Sequence, residues 1–192
     1  SLSKPLKTLC DLDILEREVP PSEKNIETSK KGQYRIKDNF LAFWFRFVYP
    51  MRSFIESDHP EIAMTKLKTG FIPNHVGYVY EDICRQKMWE LNAQGKLPFL
   101  FDRVGRWWGG KDTEIDIVAI DTTDRSKIIF GECKFHQNVP MQLSELHQLK
   151  EKAAVVPWGN ANRDEYFALF CISGYSEDLQ QLAQEDSHLL LM

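Results

Sequence analysis

Two short segments constrain this chain most: Thr113-Glu114-Ile115-Asp116-Ile117-Val118-Ala119-Ile120 and Lys127-Ile128-Ile129-Phe130-Gly131-Glu132-Cys133-Lys134-Phe135. Both are rich in β-branched and aromatic residues, and the polar bend between them, Asp121 to Ser126, suits an antiparallel hairpin. A bend symmetric about Asp124 sets Asp116 opposite Glu132 and Glu114 opposite Lys134, with paired Cβ atoms about 5 Å apart. Period-two alternation places Ile128, Phe130, Glu132 and Lys134 on one face, so the charges continue an apolar stripe. Two ionised carboxylates at the end of such a stripe repel unless one keeps a proton or a cation lies between them. Mg²⁺ or Mn²⁺ is the simplest remedy, because Mg²⁺ prefers one or two carboxylates with water and a substrate phosphate. The alternative is a slipped register with both acids solvated, or a structural ion pair with Lys134.

The 192 residues, 43% hydrophobic and 27% charged, fit one large globular domain, or a medium one with an appendage. The longest apolar-rich run, Phe40 to Tyr49, contains Arg46 and is too short to span a bilayer, so no membrane association is expected. Cys10, Cys84, Cys133 and Cys171 are far apart and form no Cys-x-x-Cys, which argues against zinc and for reduced thiols in a cytoplasmic protein. Residues 1–96 hold 15 Lys+Arg against 13 Asp+Glu, and the remainder 9 against 15. A phosphate-tracking surface is therefore expected in the first half, at Lys30, Lys31, Arg35 and Lys37, where Glu27 is the expected acidic neighbour. A solvated basic loop is the alternative.

Leu6, Leu9 and Leu12 have helical spacing, and Ile14 to Val19 with Gln33 to Ile36 predict a hairpin around the Pro-, Ser- and Lys-rich stretch Pro20 to Gly32. That combination looks like the end of a winged helix, spanning 1–37, or else a packing module that touches no DNA. Asp38 caps a helix through Val48 that Tyr49-Pro50 should end. Being apolar on nearly every side, it is expected to be buried all round, as a bridge over 38–74 or a homodimer surface. Pro60 to Lys68 reads as a helix stopped by Gly70, and His75 to Leu91 as a longer one with an apolar stripe of Val76, Val79, Tyr80, Ile83 and Leu91.

Pro98 to Trp108 should supply the first strand of a main domain over 75–192. The run Gly105-Arg106-Trp107-Trp108-Gly109-Gly110-Lys111 mimics the start of a phosphate-binding loop, but Asp112 stands where a hydroxyl is needed and two Trp obstruct the wrap, so nucleotide binding is rejected. Trp107 and Trp108 could instead flank a nucleic-acid groove or pack at a sheet edge. Leu143, Leu146, Leu149 and Ala153 mark a further helix, Tyr166 to Ile172 a strand covered on both faces, Ser176 a helix cap, and His188 to Met192 a last strand.

An Asp on one strand, a bend, then Glu-x-Lys on the next, preceded by a Glu-bearing helix, resembles the core of the PD-(D/E)xK nuclease superfamily. The resemblance implies an α/β fold of restriction-endonuclease type, a mixed central sheet flanked by helices, with the winged-helix remnant and helical bridge in front. It implies that Asp116 and Glu132 hold Mg²⁺ or Mn²⁺ with the carbonyl of Cys133, that Lys134 is catalytic, and that Glu81 on the preceding helix joins the site, with Glu114 as an accessory. The run Tyr34 to Pro50, the Trp-Trp pair before Glu-Ile-Asp-Ile-Val-Ala, and Gly-Glu-Cys-Lys are similar to the C-terminal region of archaeal-type AAA/STAND-like ATPases. That similarity implies an ATPase upstream in the full-length chain, and DNA as partner. Two functions follow: a metal-dependent DNA phosphodiesterase, or a non-catalytic nuclease-like module that recognises DNA or protein.

Overall fold

A computed structural model describes residues 2–110, 112–160 and 162–192. Ser1, at the head of the expected winged-helix end, and Lys111, the last residue of the P-loop-like run, lie outside the described residues, as does Ala161. The chain divides into two compact units, Ser1–Glu18 with Gly32–Val79, and Val19–Lys31 with Tyr80–Met192.

The first unit opens with helix α1 (Ser3–Asp11) and the antiparallel pair β1 (Leu15–Glu18) and β2 (Gln33–Ile36). Asp38 then caps α2 (Asn39–Phe43) by accepting the Leu41 N–H at 2.7 Å. Pro50 does not end the helical path. A π-turn (Trp44–Val48) and a 3-10 turn (Tyr49–Met51) carry the chain into α3 (Arg52–Glu56). The change of hydrogen-bond register absorbs the amide that proline lacks. Nor is this helix buried all round: Phe40 is 65% exposed and Tyr49 55%, while Phe43 and Phe47 pack with Phe71 and His75. Gly70 does not stop α4 (Pro60–Phe71). A Cβ there would lie 3.3 Å from Phe47 Cε1 and from Asn74 Nδ2, so glycine serves the close approach of two helical segments. A second π-turn (Ile72–Val76), holding Pro73, leads into α5 (Gly77–Ala93).

In the second unit, β3 (Arg103–Gly109), β4 (Thr113–Ile120), β5 (Lys127–Lys134), β6 (Asp164–Cys171) and β7 (Leu189–Leu191) form one sheet in that order. The first three are antiparallel, and β6 and β7 join in parallel. Helices α6 (Leu143–Ala153) and α7 (Glu177–Glu185) supply the crossovers. The result is a mixed five-stranded sheet flanked by helices. One core joins Val118, Ile120, Ile128, Phe130 and Leu169 to Leu146 and Leu149 of α6 and Leu179 of α7. The other joins Ile117, Ala119, Ile129 and Phe170 to Cys84 and Met88 of α5.

The buried face of α5 is Cys84, Arg85, Met88 and Asn92, with Ile83 53% exposed, so the expected apolar stripe is rotated. Two buried polar residues disguised it. Asn92 accepts the Phe101 N–H and donates to the Phe101 carbonyl, both at 3.0 Å, pinning the irregular stretch ahead of β3. Residues 19–31 also pack in this unit: Trp107 Nε1 donates to Ser22 Oγ at 3.0 Å, Trp108 Nε1 to the Lys31 carbonyl at 3.1 Å, and Arg103 to the Glu23 carbonyl at 2.9 Å. Arg106 to Gly109 are strand rather than phosphate-type loop.

Candidate active site

The β3–β4 ladder pairs Gly105 with Val118 and Trp107 with Ile115. Arg106 is thus the single residue set against two, Asp116 and Ile117. Such a bulge bends the strand and re-aims side chains. Its effect is visible in the cores, where Ile115 belongs with Val118 on the α6 face although Ile117 lies on the α5 face. The displaced residue is Asp116.

On the other side, the β4–β5 ladder keeps the expected register from Ile120–Ile128 to Ile117–Gly131 and ends there. A Cβ on Gly131 would lie 2.8 Å from Ile117 Cβ and 3.2 Å from the Ala168 carbonyl, so the last pair closes only over glycine. Beyond it the Asp116 carboxylate takes the place of a backbone partner, with Oδ2 accepting the Cys133 N–H at 2.8 Å. A side-chain acceptor here keeps the opened ladder's amide satisfied.

Glu132 follows Phe130 on the face packed by α6 and is only 5% exposed. Its Oε1 lies 2.7 Å from Lys134 Nζ and its Oε2 3.2 Å from Lys152 Nζ on α6. From α5, Glu81 meets Arg106 at 2.5 Å and Arg85 at 3.8 Å. Arg85 also pairs with Asp82 and donates to the Asp116 carbonyl at 3.3 Å. The cluster therefore sets four carboxylates, Glu81, Asp82, Asp116 and Glu132, among four cations, Arg85, Arg106, Lys134 and Lys152.

Desolvation raises the Asp116 carboxyl to about 7; Glu132 and then Glu81 push the same way, against the Cys133 N–H and Lys134. Glu81 is raised too, chiefly by burial, with Arg106 opposing. Lys134 is raised: burial acts against its charge, but Glu132 outweighs it. The Cys133 thiol is held well above its ordinary value by burial and by a hydrogen bond with Cys84, so it stays protonated. What Cys133 contributes here is its amide.

Asp116, Glu132, Cys133, Lys134 and Glu81 are thus brought into one cluster. Glu114 is not. It is exposed, pairs with Trp108 on β3, and does not face Lys134, whose ladder partner is Cys171 on β6. The basic residues of the first half have more acidic company than Glu27: Lys31 pairs with Glu23 at 2.7 Å, Arg35 with Glu16 and Glu18, and Lys37 with Asp13 at 2.6 Å. Lys30 is exposed. Three cations went unread in the sequence. Arg85 sits in a mixed helical run with no motif, Arg106 only in the rejected phosphate-loop mimic, and Lys152 is marked only by its place one residue before the buried Ala153 of the α6 stripe.

Among the described residues no group of three or more His, Cys, Asp and Glu is arranged to hold a metal ion. Asp116 and Glu132 are the two carboxylates that an ion completed by water and phosphate would need, and too few for an all-protein cage. Glu81 is held through one oxygen by two guanidinium groups, and Glu132 meets an ammonium group at each oxygen.

The DUF234 family, described as archaeal and bacterial proteins of unknown function, matches residues 44–153. An uncharacterised protein of Methanocaldococcus jannaschii is 34% identical over 165 residues, which is 85% of this chain and 36% of that protein. The chain thus spans little more than a third of the relative's length. No solved structure matches. No helix among the described residues is long and apolar enough to cross a membrane.

Proposed function

From a chain that belongs to the DUF234 family of archaeal and bacterial proteins, we propose a metal-dependent phosphodiester hydrolase acting on DNA, with a core of the PD-(D/E)xK nuclease type. One observation carries the reading: where the β4–β5 ladder opens past Ile117 and Gly131, Asp116 and the Glu132–Lys134 pair meet on adjoining strands. The order α5, β3, β4, β5, α6, β6, with β6 parallel to β5, supports it.

Asp116 and Glu132 would hold Mg²⁺ or Mn²⁺. When bound, the ion would supply Lewis acidity at the phosphoryl oxygen and acidify water. The chain's own groups do the positioning. The Cys133 amide fixes the Asp116 carboxylate, and Lys134 fixes Glu132 and presents positive charge to a phosphate whose negative charge grows in the transition state. Arg106 and Arg85 restrain Glu81 beside them. DNA as the substrate, the upstream ATPase of the full-length chain and a winged-helix origin for residues 1–37 rest on the sequence resemblance.

The second reading, a non-catalytic nuclease-like module that binds DNA or protein, is favoured by the charge balance of the cluster. The cluster holds as many cations as acids, and the Cys133 amide caps Asp116, so the site can persist without metal. Nicking of supercoiled DNA with Mg²⁺ or Mn²⁺ separates the two readings. Cleavage lost in Asp116→Ala and Glu132→Ala is expected of the enzyme. No cleavage and no calorimetric Mn²⁺ binding at millimolar metal would leave the module, and undiminished cleavage by both variants would place the chemistry elsewhere.

A further inference from the structure

The two ammonium groups on Glu132 come from unlike places. Lys134 lies two residues along the same strand and on the same face, and makes the shorter contact. Lys152 reaches in from the last turn of α6 and makes the longer contact, 3.2 Å against 2.7 Å, while both side chains keep about a third of their surface exposed. A metal ion needs a bare carboxylate oxygen. Both oxygens of Glu132 already face a cation, so binding there is an exchange rather than an addition.

Resting on the metal reading above, we infer that Lys152 is the place-holder for the metal: its Nζ neutralises Glu132 Oε2 in the metal-free protein and turns out to solvent when the ion arrives. Lys134 stays on Oε1 throughout. Lys152 is therefore a positioning residue that holds the second oxygen of a nearly buried carboxylate, and it lowers the metal affinity of the wild-type protein by competing for that oxygen. The same exchange frees an ammonium group beside the site only after the metal is in place, where it can meet the phosphate of an arriving phosphodiester.

Calorimetric titration with Mn²⁺, paired with thermal melts in EDTA and in Mn²⁺, tests this on the wild type, Lys152→Met and Lys152→Arg. Lys152→Met should bind Mn²⁺ about tenfold more tightly, the effect of removing one competing charge worth roughly 1.4 kcal/mol. It should melt lower than wild type in EDTA, with the gap closed by Mn²⁺. Lys152→Arg retains a cation and should bind like wild type. Lys152→Gln replaces the methionine variant if that one fails to fold. If the wild type binds Mn²⁺ and the neutral variants bind it equally or more weakly, the place-holder role is overturned while the metal site stands. If none of the proteins binds Mn²⁺, the metal reading itself is overturned and the exchange with it.

Discussion

Replacing Asp116 by Asn removes a charge but keeps an oxygen that can accept the Cys133 N–H, so it isolates the electrostatic cost of this carboxylate. In the metal-free protein the Asp116 carboxyl is raised from 3.8 to about 7, first by burial and then by Glu132 and Glu81. A raised pKa means that the folded chain holds the proton more tightly than the unfolded one. The associated stability is complete below about pH 4 and is lost as pH rises through about 7. Three pH units correspond to an upper limit of about 4 kcal/mol, of which part is shared with the neighbouring acids. Asp116→Asn cannot lose this contribution. Its unfolding free energy in EDTA should therefore exceed that of the wild type at pH 8 by about 1–4 kcal/mol, and the difference should vanish near pH 4. Urea denaturation across pH 4–8 measures the difference curve, in which titrating groups remote from the cluster cancel. Mn²⁺ should then close the gap at pH 8 by stabilising the wild type alone. A variant that is less stable than wild type at pH 8, or a difference independent of pH, would refute the assignment of Asp116 as a carboxylate crowded by its neighbours.

Gly131→Ala should cost about 1–3 kcal/mol in denaturation midpoint and abolish metal binding, because its Cβ would press on Ile117 where the ladder closes. An alanine variant as stable as wild type would remove glycine from the account of the site. Trp107→Phe deletes the indole donor to Ser22 and should cost about 1–2 kcal/mol. It should also speed limited proteolysis within residues 19–31, whereas unchanged cleavage would show that this segment is held by its other bonds. Trp44→Asp, at an exposed position, should melt within a few degrees of wild type. Sedimentation that shifts from dimer to monomer in this variant would support the homodimer reading, and identical sedimentation of both proteins would exclude that face as the interface.

Local chemistry was readable wherever one residue type decides the geometry. The hairpin around Asp124, the bounds of β2, the apolar spacing of α6, the Asp38 cap and the doubly covered strand β6 all follow from alternation, helical spacing or a capping side chain. Legibility failed where a polar residue does a core residue's work. Arg85 and Asn92 occupy the buried face of α5, so an apolar stripe sought by hydropathy falls on Ile83 instead, which faces water. It failed again at Pro50 and Gly70, because a π-turn or a close helix contact is a tertiary accommodation that local propensity does not encode. The acidic neighbours of Arg35 and Lys37 were illegible for a related reason: Asp13, Glu16 and Glu18 are distant in sequence, and pairing across the β1–β2 ladder brings them close.

The bulge at Asp116 was the least legible feature and the one that shapes the site. Strict alternation would send Ile115 and Ile117 to one face and leave Asp116 opposite Glu132 as an ordinary ladder pair. The extra residue against Arg106 instead breaks the phase of β4, so that the carboxylate is freed from the ladder and closes on the Cys133 amide. Arg106 has a second role, since its guanidinium holds Glu81 of α5. Its neighbour Trp107 holds Ser22 through the indole. One β3 tripeptide thus sets the phase of Asp116, the position of Glu81 and the anchorage of residues 19–31. Because Trp107 also belongs to the core packed by α6, a disturbance of that strand should be felt in the acids of the cluster and in this core together.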